Sequence, residues 1–270
     1  MCTVPLLNRI CRESYSDPEA VCQTLKERGM DLLTLTDHDS IQASEAFRSR
    51  HDFFMSEEVS CTTPTGTLIH IGVYGIEECH HIELQRRRAD VVSLVEYLHG
   101  HNLFFSINHV FSALTGPRTD HDFALFERHF PAIEVLNGQI SASCNRAAAQ
   151  LARRWNKIAV GGSDSHTLTS LGIAYTEIPR ARNPVEFLAA LRGGHGRIRG
   201  VSGNYWKLNR AILEIGVAMV RERPATAALS PLLAAIPVVT LGNLFREILF
   251  ARKWVNRLRV SRHAQAYEYA

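Results

Sequence analysis

Residues 16–40 read "SDPEAVCQTLKERGMDLLTLTDHDS", and the order of the parts decides the fold. Ser16 or Asp17 can cap a helix, Pro18 fits its first position, Glu19 suits its first turn and Gly29 stops it. The apolar run "MDLLTLT" (30–36) then reads as a buried strand, and it delivers Asp37, His38 and Asp39 together at its carboxyl end. A helix followed by an apolar strand with a polar end is one unit of an α/β domain.

The same alternation continues downstream. "FFMSEEVS" and "TLIHIGVYGI" read as strands joined by the turn-rich "CTTPTG". "RADVVSLVEYLHGHN" has helical spacing at Val91, Leu94, Val95 and Leu98. A strand "LFFSINH", a short helix near 120–129 and a strand "AIEVLNG" follow. Next come a helix "SCNRAAAQLARRW", strands "KIAVGGSDSH" and "IAYTEIP", and a helix "NPVEFLAALRGG". The pattern predicts a mainly parallel α/β sheet or barrel. His38, Glu58, His109, Asn137 and the pair Asp164 and His166 each come late in a different strand, whereas His70 sits inside one. In a βα barrel the carboxyl ends of the strands form the active site, because the βα loops converge there.

Charge divides the chain. Residues 199–270 hold 11 Lys/Arg against 4 Asp/Glu, so the tail carries +7 and the remainder −4 of the net +3. The division is read as residues 1–198 for the domain that bears the site and 199–270 for a helical, basic and apolar extension. Six cysteines are scattered without a CxxC pair. That pattern excludes thiolate zinc spacings and a disulfide framework. The start lacks the basic and long apolar parts of a signal peptide. Together these features predict free thiols and a cytoplasmic location, with the cytoplasmic membrane face as the alternative.

Imidazole nitrogen and carboxylate oxygen together suit zinc, manganese or iron, and a carboxylate can bridge two ions. No single residue in the set is decisive. The weight lies in the ordered series TDHD, EEVS, an in-strand histidine, NH, EVLNG and GSDSH.

That series resembles the PHP family, named for polymerase and histidinol phosphatase domains, over about residues 12–198. The most specific parts are "RGMDLLTLTDHDSI" and "IEVLNGQISASCNRAAAQLARRWNKIAVGGSDSHTLTSLGIAYTEIP". The resemblance implies a distorted (β/α)7-type barrel and a metal-dependent phosphoesterase with two or three divalent ions (manganese, zinc or iron). It implies His38, Glu58, His70, His109, Asp164 and His166 as metal ligands, with Glu58 bridging two ions. Asp37, His38 and Asp164 are the implied catalytic set, Asp37 orienting His38 or binding substrate. Asn137 is expected to shape its strand end and to lie near substrate. Glu57 and Glu58 are adjacent, so only one faces the site, and the family pattern favours Glu58. Substrates implied are phosphate monoesters, nucleotides, or short oligonucleotides attacked at the 5′ phosphoryl end by a metal-activated hydroxide.

One part of the pattern is absent. The family opens with a strand ending in His-x-His, and no histidine precedes His38 here. Two readings stand: a first strand that lies upstream of Met1, or a variant with a depleted site. The first is preferred, because a barrel without that strand exposes an edge and half a core. Either way, fewer ions than the family norm are expected. A non-catalytic module that binds a partner or a membrane surface is the rival reading.

Several other residues were weighed. His99 and His101 in "LHGHN" close a helix, where histidine suits the dipole. The second "TDHD" (119–122) reads as a helix cap. Cys79, His80 and His81 read as a surface turn. Arg118, Arg146 and His195 are the remaining candidates for a substrate phosphate. From Pro224 to Phe245 no residue is charged, and a basic run follows. Three prolines argue against a membrane span, so residues 224–262 are expected to pack on the barrel or to meet a membrane surface or partner.

Overall fold

The computed structural model describes residue 12 and residues 14–268, with side chains as far as Leu258. Residues 1–11, which carry no His-x-His pair, lie outside the described residues. Helix α1 (Pro18–Glu27) is capped by Asp17, whose carboxylate accepts from Ala20 N at 3.1 Å. Gly29 ends it at φ +81°, a left-handed conformation that only glycine adopts freely.

Residues 30–36 are extended but do not form a regular strand. The segment meets its neighbour at its two ends, through Leu33 beside Phe53 and His38 beside Glu58, both parallel. Between the two bridges, Thr34, Leu35 and Thr36 line a cavity. After the short helix α2 (Gln42–Glu45) comes a five-stranded sheet of β1 (Ser56–Thr62), β2 (Leu68–Tyr74), β3 (Phe104–Ile107), β4 (Ala132–Asn137) and β5 (Ile158–Gly162), in that order. β3, β4 and β5 are parallel, but β1–β2 and β2–β3 are antiparallel. The expectation of a mainly parallel sheet is therefore corrected to a mixed one. β2 is the reversed strand: only five residues link it to β1, too few for a parallel crossover, which needs a dozen or more.

Helices α3 (Glu78–Arg87), α4 (Val91–Gly100), α5 (Asp120–His129) and α6 (Ala142–Arg154) cover the sheet. Cys79, His80 and His81 lie in α3 rather than in a turn. The cause is a capping box, with the Glu77 side chain on the His80 backbone and the His80 ring on Glu77 N. Thr119 and Asp122 form the corresponding box at α5. The main core joins Ile69, Ile71 and Val73 of β2 to Phe105 and Ile107 of β3, under Leu94, Val95 and Leu98 of α4. Each such side chain contributes about 1.5–3 kcal/mol by leaving water.

A second, two-stranded sheet pairs β6 (Ala174–Glu177) with β7 (Arg197–Gly200), on either side of α7 (Pro184–Arg192). The remainder is helical: α8 (Tyr205–Glu222), a 3-10 stretch (Pro224–Ala235) and α9 (Ile236–Glu268). Ala251 and Trp254 of α9 join the main core, and Trp254 lies 4.7 Å from Phe123, ring to ring. Among the described residues, one helical stretch, Pro224–Leu258, has the length and hydropathy of a membrane span.

Candidate metal centre

Side chains alternate along β1, so its two glutamates part. Glu57 turns to α3, where it is fully buried and accepts from Gln85, with His81 Nδ1 at 2.6 Å. Glu58 turns to the opposite face, toward histidines from three other segments. His38 Nε2 and His109 Nε2 each lie 3.3 Å from its carboxylate, and His70 Nδ1 lies at 3.8 Å. His70 Nδ1 and His109 Nε2 are 3.2 Å apart. Sheet register explains the convergence. His38 is bridged to Glu58 by backbone, Glu58 pairs with Gly72, and His109 follows the end of β3, which pairs with β2.

These spacings fit a small cation. Ligand atoms about 2.1 Å from a tetrahedral ion stand about 3.4 Å from one another. One carboxylate with three imidazoles is a donor set for zinc, manganese or iron. His38, Glu58 and His70 offer atoms that all lie within 4.8 Å of one another.

Asp164 and His166 approach from the end of β5, with His166 Nδ1 4.0 Å from Asp164 Oδ1. Asn137 donates to Asp164 Oδ2 at 2.9 Å and to Glu134 at 3.1 Å. Glu134 in turn accepts from His109 N at 2.8 Å. This chain of bonds ties the histidine cluster to the Asp164 side. His109 and Asp164 hold φ of +29° and +46°, positions that cost energy for residues with a Cβ and recur at functional sites.

A cavity of about 430 Å³ opens beside these groups, and Asp37, His38, Glu58, Asn137, Asp164 and His166 line it. Leu33, Leu35, Phe54, Val160 and Phe187 are among its apolar lining. Three sequence candidates are not brought there. Arg118 is buried and donates to Leu68 O and Thr115 Oγ1. Arg146 and His195 are exposed and do not line the cavity. Asp39 accepts from Ser60 N and pairs with Arg88, so its carboxylate is engaged along β1.

Two partners escaped the sequence reading. Asn108 donates to Glu58 Oε1 at 2.8 Å and accepts from Ser106 Oγ, which meets Tyr74 OH. Glu134 is the other. Both had a signal in the period of two: Ser106 and Asn108 alternate with the apolar Phe105 and Ile107, and Glu134 interrupts an apolar strand.

The cluster's charges oppose one another. Burial would lower the His109 pKa, but the hydrogen bond and charge of Glu58 override it and hold the imidazole at about 9. Burial would raise Glu58, and the same pair drives it well below the usual carboxylate range. His70 falls to about 3 through burial and the His109 charge. Glu134 rises to about 7, chiefly by burial. An incoming cation must therefore displace the His109 proton. Apparent metal affinity should climb with pH toward that value, by up to about tenfold per unit for one proton released. Calorimetry in buffers of different ionisation heat checks this. Binding at neutral pH without proton release would contradict it.

Residues 143–195, which carry Asp164 and His166, match the family model described as PHP-associated. Over that segment the match agrees with the resemblance to the PHP family. No curated protein sequence matches the chain. Among solved structures, PsfC from Pseudomonas syringae is 16% identical with a TM-score of 0.51, over 74% of this chain and 88% of that one. That likeness shows a shared fold. A putative metal-dependent phosphoesterase from Bifidobacterium adolescentis is 11% identical (TM-score 0.44, 57% and 84% covered). The lesion-specific endonuclease PfuEndoQ from Pyrococcus furiosus is 14% identical (TM-score 0.49, 70% and 55% covered).

Proposed function

We propose that this protein is a metal-dependent phosphoesterase acting on phosphate monoesters, nucleotides or the 5′ phosphoryl end of short oligonucleotides. The observation that carries the reading is the convergence of His38, His70 and His109 on Glu58 at 3.3–3.8 Å, beside a cavity that Asp164 and His166 enter. Divalent ions held there would supply the positive charge that phosphoryl transfer needs and would activate water. The protein groups do the rest. Glu58 neutralises the cluster and is fixed by Asn108, and Asp37, which lines the cavity, orients His38 or meets the substrate. Asn137 holds the Asp164 carboxylate in place. The apolar side chains that line the cavity beside its polar groups suit a small leaving group better than a long polymer.

The same reading places the sheet in a distorted (β/α)7-type PHP barrel. The cavity lies between the extended segment 33–38 and the β5–β6 edge, where one further strand would close the ring. Ser14 lines the cavity there, and its hydroxyl donates to His166 O at 3.3 Å. Cys22, Cys61, Cys79 and Cys144 are free thiols, which fits a reducing, cytoplasmic setting.

Hydrolysis of aryl phosphates and of aryl amides, each with manganese, zinc or iron added, tests the proposal. Turnover of the phosphate only is expected, with a fall of about 10–100-fold or more in His38→Ala and in Asp164→Ala. Amide turnover, or unchanged phosphate turnover in both variants, would sink the reading.

A further inference from the structure

Helix α9 is apolar on two opposite faces, and only one of them is covered. Ile236, Thr240, Glu247, Ala251 and Trp254 are buried against the rest of the protein. Polar bonds pin that side: Glu247 accepts from Ser112 Oγ and from Ala113 N at 2.7 Å, Arg257 pairs with Asp120, and Arg154 donates to Leu258 O at 2.8 Å. Opposite them, Val238, Leu241, Phe245 and Leu249 are 75%, 55%, 65% and 53% exposed. Their steps of three, four and four residues make one stripe along the helix. Isolated exposed apolar residues are ordinary, but a contiguous row marks a contact surface.

Charge says what covers it. Residues 224–262 contain six Lys/Arg and one acid, Glu247, which is buried. Arg246, Arg252 and Lys253 are exposed beside and just beyond the stripe. A row of valine, leucine and phenylalanine bordered by cations matches the acyl boundary and the negative headgroups of an anionic bilayer. Docking favours lying rather than crossing. Pro224–Leu258 has the length of a span, but crossing would strip Glu247 from Ser112 and Ala113 and Trp254 from Phe123. The exposed stripe covers about 16 Å along one face at 1.5 Å per residue, as a helix lying in the interface requires.

We propose that α9 docks this protein on an anionic membrane surface, with Val238, Leu241, Phe245 and Leu249 in the headgroup boundary and Arg246, Arg252 and Lys253 against the lipid phosphates. Docking is independent of the phosphoesterase reading, since none of these residues lines the metal cavity.

The test is sedimentation of the full chain with vesicles of phosphatidylcholine alone and with phosphatidylglycerol added, at low and high salt. Binding to the anionic vesicles, weakened by salt, is expected. Leu241→Asp with Phe245→Asp should weaken it at least tenfold, and Arg252→Gln with Lys253→Gln should remove most of the preference for anionic lipid. Both pairs are exposed, so an unchanged melting temperature shows that the fold is kept. No binding by the wild-type chain would overturn the proposal, as would equal binding to both vesicles. So would a wild-type dimer that ignores vesicles and dissociates in Leu241→Asp with Phe245→Asp, because a second copy would then be the occupant.

Discussion

Glu58→Ala is expected to abolish tight metal binding and to lower hydrolysis by on the order of a thousandfold, beyond the ten- to hundredfold typical of an outer partner. Glu58 is the group on which His38, His70, His109 and Asn108 all converge. Removing it takes away the anion that a cation would share and leaves the imidazoles of His38, His70 and His109 facing one another. His109 then loses the partner that keeps it protonated, so its pKa should fall from about 9 as burial takes over. Elemental analysis after exposure to manganese and zinc, together with an NMR titration of the imidazoles, reads both effects. Glu57→Gln is the matched control. That side chain serves α3 on the other face, so its effect should be on stability and not on metal content. A Glu58→Ala protein that still holds its metal would remove Glu58 from the centre.

Metal removal is expected to cost several degrees of thermal stability. An ion that binds only the folded state at a hundred times its dissociation constant stabilises by about 2.7 kcal/mol, which moves the melting temperature of a chain this size by roughly 5–10 °C. Calorimetry with saturating manganese and with a chelator gives the difference directly, and a shift below about 1 °C would mean that the histidine cluster does not hold an ion. The metal-free protein should show its own pH signature. His109 titrates above its ordinary value of 6.5, so its contribution is full below that pH and is lost as pH rises through about 9. Glu58 titrates below its ordinary 4.5, so its contribution is present above that value and is lost as pH falls. The chelated protein is thus held best by this pair between about 4.5 and 6.5. Bound metal should flatten the alkaline loss, because it replaces the His109 proton.

Most of the element order was legible in local pattern. Asp17, Pro18 and Gly29 bound the first helix by capping, ring geometry and positive φ, each of which acts within a few residues. Helix α4 followed from the spacing of Val91, Leu94, Val95 and Leu98, and the split between Glu57 and Glu58 from the alternation of strand side chains. The antiparallel pairing of β1 with β2 had a local cue as well, since the short "CTTPTG" link excludes a parallel crossover.

Other features depended on residues far apart in the chain. Glu134 sits among apolar neighbours in a strand and becomes part of the centre only because His109 N and Asn137 reach it. Arg118 looks like a phosphate ligand in sequence, yet folding directs it to Leu68 O and Thr115. The apolar stretch from residue 224 reads alike on all sides. Docking against Ser112, Ala113 and Phe123 divides α9 into a covered face and a bare one. Caps, turns and periodicity are short-range, so the sequence alone determined which elements form and which polar side chains stand at their ends. Which of those side chains come within a ligand's reach was decided by sheet register and helix docking, because burial and long-range pairing exist only once the chain has closed on itself.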